Sequence, residues 1–98
     1  MSGLYAFPEG LAYAYMGQCD KAIPALKSYI AYLNIIPGRL YLVACYVELG
    51  RDREAHAEAA EVMRMSPQFS LAAQKQMSPL KGPLKERFFG DMAKAGLK

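Results

Sequence analysis

Apolar residues recur at helical spacing along most of the chain, and prolines and glycines separate the apolar stretches. The clearest stripe lies within residues 20–34, where apolar side chains follow one another at intervals of one or three positions: Ala22, Ile23, Leu26, Tyr29, Ile30 and Leu33. Such a stripe predicts an amphipathic helix. Residues 38–49 are apolar on nearly all sides, which is typical of a helix that lies between two others.

Turn and capping residues divide the first 67 residues into four predicted helices. Pro8 suits the first turn of a helix, because its missing N–H would be unpaired there. Gly17 and Gly50 suit the left-handed position that ends a helix. Asp20 and Asp52 are then predicted to cap the second and fourth helices.

The last 30 or so residues contain two further predicted helices, joined by a linker with two prolines. Ser70 is a candidate cap for a short helix over residues 69–76. Pro83 suits the first turn of the final helix, which carries Leu84, Phe88 and Met92 on one face at four-residue spacing. Gly96 is predicted to end this helix, so that Leu97 can fold back against it.

The two predicted helix pairs repeat one frame at a spacing of 33 residues, in which Tyr13, Gly17 and Ala22 recur as Tyr46, Gly50 and Ala55. Repeats of 20–50 residues indicate stacked structural units. The glycine allows the chain to reverse, and the small alanine lets the two helices of a pair approach closely.

With this frame the chain resembles the tetratricopeptide repeat (TPR) family. The matching residues are Gly10, Tyr13, Gly17, Ala22 and Leu26 in the first unit, and Leu42, Tyr46, Gly50, Ala55 and Pro67 in the second. The resemblance implies an all-α fold with two helix-turn-helix repeats in a right-handed superhelical stack. The expected single domain then consists of repeat 1 (4–34), repeat 2 (37–67) and capping helices (68–98).

Residues 66–97 are similar to the C-terminal ends of bacterial TPR regions behind signalling domains, notably class III adenylate/guanylate cyclases. In those proteins the segment closes the repeat array. These 98 residues contain no cyclase catalytic domain, so the resemblance implies no cyclase activity. It implies a scaffold for protein–protein interaction, from the C-terminal part of a bacterial signalling protein.

The TPR resemblance also implies a ligand groove formed by the first helix of each repeat. The corresponding positions are Phe7, Leu11, Ala14 and Tyr15, then Leu40, Tyr41, Ala44, Val47 and Glu48. These positions are mostly apolar, and they lack the lysines and asparagines with which some TPR proteins grip a peptide carboxylate. Either the chain's own last helix, or a partner helix or second copy, is expected to fill the groove.

No pattern in the sequence predicts catalysis, a cofactor or a metal site. His56 is the only histidine, and the two cysteines form no CxxC pair, so a metal would have too few ligands. No glycine-rich phosphate-binding motif occurs. Cys19 and Cys45 are interpreted as free thiols in a reducing compartment, and Cys45 as part of the core, so a cytoplasmic location is expected.

Charge is distributed unevenly along the chain. Residues 1–67 carry a net charge of −1, and residues 68–98 a net charge of +4. The basic segment suggests an alternative function, an adaptor that binds nucleic acid or an anionic membrane surface. The preferred interpretation is a solvated helix face, with nucleic-acid binding disfavoured. No apolar run is long enough to predict a membrane span.

Overall fold

The computed structural model describes residues 6–78 and 80–98, and every regular element in these residues is an α-helix. The helices are α1 Ala6–Tyr15, α2 Cys19–Tyr32, α3 Ile36–Glu48, α4 Asp52–Met65, α5 Leu71–Met77 and α6 Gly82–Lys94. The predicted all-α class is confirmed.

The helices α1 and α3 end in the same backbone turn. Gly17 and Gly50 both have φ of 73°, a left-handed conformation in which a residue with a Cβ is strained. After each glycine, one amide reaches back five positions: Gln18 N–H donates to Tyr13 O, and Arg51 N–H to Tyr46 O, both at 2.8 Å. These are Schellman helix ends, and they confirm the predicted stops at the two glycines.

Each of these turns joins two helices that pack against each other, α1 with α2 and α3 with α4. Ala22 and Ala55 occupy matching positions in the two pairs and are both 0% exposed. At Gly10 the approach is closer still, because a Cβ there would lie 2.7 Å from Leu26 Cδ2. Carbon atoms in ordinary contact lie about 3.5–4 Å apart, so the backbone of α1 rests directly on the Leu26 side chain.

The helix α3 lies at the centre of the fold, in contact with α1, α2, α4 and α6. Its residues 40–46 are all buried. A helix that is apolar on nearly all sides can bury all of its faces only when it lies between other helices. The prediction that residues 38–49 form such a helix is confirmed.

Asp20 and Asp52 do not cap their helices as predicted. The helix α2 begins one residue before Asp20, and α4 begins at Asp52 itself. The preceding residues, Gln18 and Arg51, make no side-chain capping hydrogen bond. The cause is the Schellman turn, because only one residue follows each glycine before the next helix starts. Both carboxylates therefore lie in a first turn, where the helix dipole still favours negative charge.

The last two helices return the chain to α3. Ser70 caps α5 as predicted, since its Oγ accepts a hydrogen bond from Ala73 N–H at 3.2 Å. The helix α6 then packs on α3. Leu97 is 2% exposed, and its N–H donates to Met92 O at 3.2 Å, so the chain folds back after Gly96 as expected.

Candidate functional site

The positions predicted to form the groove differ in exposure between α3 and α1. On α3, Leu40, Tyr41 and Ala44 are buried, and Val47 is half-buried. Helix α6 covers this half, and the Phe88 ring meets the Tyr41 ring edge-on at 62°, with centroids 6.2 Å apart. The chain's own last helix, one of the two expected occupants, therefore packs on these α3 positions.

On the α1 half, Tyr15 is 49% exposed, whereas Leu11 is half-buried against the core. The side chain of Phe7 lies outside the described residues, and Ala14 is fully buried. Helix α1 also contacts α3 directly. Burial raises the pKa of Tyr41, and Tyr15 adds to this increase. The open aromatic side chain of α1 therefore borders the surface that α6 covers.

Glu48, the charged groove candidate, joins α3 to α6. Its Oε2 pairs with Arg87 Nε at 3.0 Å, and the same guanidinium lies 5.2 Å from the centroid of the Phe88 ring. One arginine thus makes an ion pair across the helix interface and a cation–π contact with its neighbour on α6. In the sequence, Arg87 is one of the basic residues of the segment 68–98, and nothing there indicates this pairing.

A second carboxyl group lies beside this ion pair. Asp91 is 8% exposed and hydrogen-bonds Glu48, and its Oδ2 has no hydrogen-bond partner in the described ranges. Burial, followed by the hydrogen bond and the charge of Glu48, raises the pKa of Asp91 to about 7. The sequence did contain a signal, because Asp91 lies seven residues after Leu84 and three after Phe88, on the apolar face of α6.

Both cysteines lie next to this pair of carboxyl groups. Cys19 is the first residue of α2 and Cys45 lies on α3; they are 3% and 0% exposed, and their side chains hydrogen-bond each other. This bond lowers the pKa of Cys19 and, together with burial, raises that of Cys45. The assignment of Cys45 to the core is confirmed, but its contact with Cys19 was not foreseen.

His56 has a structural contact that its position in the sequence did not suggest. Its Nδ1 lies 2.9 Å from the carbonyl oxygen of Ala95, the residue that follows the last turn of α6. Helix ends leave several carbonyls without intrahelical donors, and an imidazole N–H satisfies one of them here. His56 therefore ties α4 to the C-terminal end of α6.

A shallow cleft of about 460 Å³ separates α5 from α6. Its walls are mainly apolar, from Leu71, Phe89 and Leu97, with Lys75 and Lys98 also lining it. No residue of α5 is fully buried, so this short helix covers α6 only loosely. Lys75 is already paired with Glu86 at 2.7 Å. The cleft thus offers apolar contact but little charge that is free of a partner.

Over residues 6–78 and 80–98, no three His, Cys, Asp or Glu side chains are grouped in a way that could hold a metal ion. In the same part of the chain, no helix has both the length and the apolar character needed to cross a bilayer. Comparisons with protein-family models, with curated proteins and with solved structures find no match. The functional argument therefore rests on the chain's own geometry.

Proposed function

We propose that this chain is a non-catalytic protein–protein interaction module of the TPR type, which binds a helix of a partner protein or of a second copy. The binding surface is the α1 half of the groove, with Tyr15 as its aromatic anchor. The proposal also places the chain in the cytoplasm, as the C-terminal part of a bacterial signalling protein.

The TPR arrangement is supported by the two matching helix pairs. Both contain a fully buried alanine, and α1 and α3 end in Schellman turns 33 residues apart with equal φ angles. Two repeats have little surface to bury against each other, so such an array needs a cap. Helix α6 supplies that cap, as the C-terminal segments of the similar bacterial proteins do.

The observation that carries the binding proposal is the exposure of Tyr15 beside the covered half of the groove. Tyrosine buries a large ring at a low cost in side-chain entropy, and interface hot spots are enriched in it. Helix α6 already lies on α3 through an apolar stripe and one ion pair. A helix with a similar stripe would extend this packing onto α1, in the helix-in-groove mode.

The basic-segment adaptor is the weaker alternative. Two of the basic side chains of residues 68–98 are paired within the chain, Lys75 with Glu86 at 2.7 Å and Arg87 with Glu48 at 3.0 Å. Nucleic-acid or membrane binding would weaken steeply with added salt, whereas apolar groove binding would not. Salt dependence of any measured affinity therefore separates the two functions.

The test compares two exposed tyrosines. Tyr15→Ala removes the anchor, and Tyr32→Ala removes a tyrosine that is 58% exposed at the end of α2. Affinity-tagged chains are used to capture partners from the source cell, and sedimentation measures self-association. We expect Tyr15→Ala to weaken binding at least ~10-fold, equivalent to about 1.4 kcal/mol, and Tyr32→Ala to leave it unchanged. Equal effects of the two substitutions would refute the proposed surface.

A further inference from the structure

We propose that two copies of this chain exchange their last helix, so that the α3 surface of each copy binds residues 82–97 of the other. The geometry of the contact is already present, because α6 packs on α3 within its own chain. The buried residues of this segment include Phe88, Met92 and Leu97, each at most 2% exposed. A second copy presents the same residues, so exchange needs no interface that the closed chain lacks.

The polar contacts of the last helix also join it to the helix pairs. Arg87 Nε pairs with Glu48 Oε2 on α3 at 3.0 Å, and the carbonyl oxygen of Ala95 lies 2.9 Å from His56 Nδ1 on α4. Both contacts connect residues 82–97 to α3 or α4. Both can therefore form between two chains as they do within one.

The connector between α4 and α6 is long enough to reach a second copy. No residue from 66 to 78 is buried, although this stretch contains α5. Fully extended, residues 66–78 span roughly 45 Å, whereas the longest dimension of the closed molecule is 33 Å. An opened connector can thus carry α6 beyond the surface of its own chain.

Opening the connector disturbs few stabilising contacts. Helix α5 has seven residues, and helices this short are unstable unless they pack against other elements. Its ion pair with α6, between Lys75 and Glu86, has side chains that are 37% and 69% exposed. Ion pairs at the surface contribute little to stability, so α5 can unwind at a small cost in free energy.

Concentration decides between the closed chain and the exchanged dimer, because both bury the same α3 and α6 surfaces. Within one chain, α6 has an effective concentration in roughly the millimolar range. Dilute solution therefore favours the closed chain, and concentrated solution favours exchange. Since α6 must leave α3 before it can exchange, the two forms interconvert slowly.

Two charge reversals test the exchange in full-length chains. Glu48→Arg places two positive charges at the contact between α3 and α6, and Arg87→Glu places two negative charges there, so each variant repels its own last helix. In a 1:1 mixture, exchange brings opposite charges together at positions 48 and 87 in both interfaces. We expect a mixed dimer in sedimentation and native mass spectrometry, at least ~10-fold tighter than the dimer of either variant alone.

The double variant Glu48→Arg/Arg87→Glu is the matched control. It has opposite charges at the contact within its own chain, so it should fold as the parent does and stay monomeric in dilute solution. The proposal is overturned if this control folds but the mixture of single variants forms no mixed dimer. It is also overturned if each single variant alone dimerises as tightly as the mixture.

The parent chain provides a measurement that does not depend on the folding of any charge variant. Refolded from urea at ~500 μM, it should contain a dimer that persists for hours after dilution, whereas refolding at ~5 μM should give monomer. Monomer alone at both concentrations would overturn the proposal. Tyr15→Ala should form the same persistent dimer, because the exchange does not rest on the α1 surface. A dimer that dissociates at once on dilution and is lost in Tyr15→Ala would instead belong to the α1 surface and would also overturn the exchange.

Discussion

Asp91 shows how one buried carboxyl group makes the stability of this fold depend on pH. Its pKa is about 7 in the folded chain, against an ordinary value of 3.8, because it is buried beside Glu48. Between these two pH values the unfolded chain releases the proton and the folded chain keeps it. Rising pH therefore favours the unfolded state across this window. The contribution of protonated Asp91 to the free energy of unfolding is present at low pH and is lost near neutrality.

We predict that Asp91→Asn removes the loss of folding stability that Asp91 causes as the pH rises. The amide cannot ionise, so the variant should equal the parent near pH 4 and exceed it by on the order of 2 kcal/mol at about pH 8. Urea unfolding followed by circular dichroism at several pH values measures the difference between variant and parent. That difference is informative even though other carboxylates add their own pH dependence to both proteins.

Asp20→Asn is the matched control, because Asp20 is exposed in the first turn of α2. Its effect on stability should not follow the pH profile of Asp91→Asn, because Asp20 is exposed to solvent rather than buried beside a second carboxyl group. An Asp91→Asn variant whose stability relative to the parent is independent of pH would show that Asp91 does not carry a raised pKa.

Contacts such as these explain what the sequence could not reveal at the residue scale. His56 and Ala95 are 39 residues apart, and Glu48 meets a carboxyl group on a helix three elements further along the chain. Periodicity reports which face of a helix is buried but not which residue of a distant helix faces it. The position of Asp91 on the apolar face of α6 is consistent with its burial, but only the tertiary fold identifies Glu48 as its neighbour.

At the scale of elements, the contact between α1 and α2 depends on the absence of a side chain at Gly10. A Cβ at this position would lie 2.7 Å from Leu26 Cδ2 and 2.8 Å from Leu26 Cγ. Leu26 is 0% exposed, so it has little room to move away. In packing this close, even one added methyl group strains or displaces the neighbouring helix.

We predict that Gly10→Ala destabilises the chain by about 1–2 kcal/mol. The overlap with Leu26 should outweigh the gain of about 1 kcal/mol that alanine normally brings to a helix interior. The free energy of unfolding, measured in urea, tests this value. A wild-type or higher stability would mean that α1 does not lie on Leu26 as described.

Gly90→Ala provides the control in α6. A Cβ at Gly90 meets no atom within 4 Å, and the residue is exposed. This substitution should therefore stabilise the chain by about 0.5–1 kcal/mol, through helix propensity alone. Opposite signs for the same glycine-to-alanine change would distinguish packing from propensity.

Element boundaries were largely predictable because their causes are local. The Schellman glycines and the Ser70 cap both act within a few residues. The wrong caps at Asp20 and Asp52 have the same local origin, since α2 begins two residues and α4 one residue earlier than those caps would require. The sequence left the occupant of the groove open, because the docking of α6 on α3 depends on contacts between distant segments.

At the scale of the whole molecule, helix α6 packs against the short helical array, and the resulting fold is compact. The radius of gyration is 12.1 Å, close to the ~13 Å typical of compact domains of this length. The core includes residues from both helix pairs and from the C-terminal segment. We therefore propose both that α6 covers the α3 half of the predicted groove and that the α1 half remains available to a partner.

Site-specific photo-crosslinking tests both claims in one measurement. A benzoylphenylalanine replaces Tyr15, Tyr41 or Tyr32 in turn, which keeps an aromatic ring at each position. We predict that position 15 crosslinks to a second protein or a second copy of the chain. Position 41 should crosslink to the α6 peptide of its own chain, and position 32 to neither. Intermolecular crosslinks from position 41 as abundant as those from position 15, or equal crosslinking from positions 15 and 32, would contradict the account.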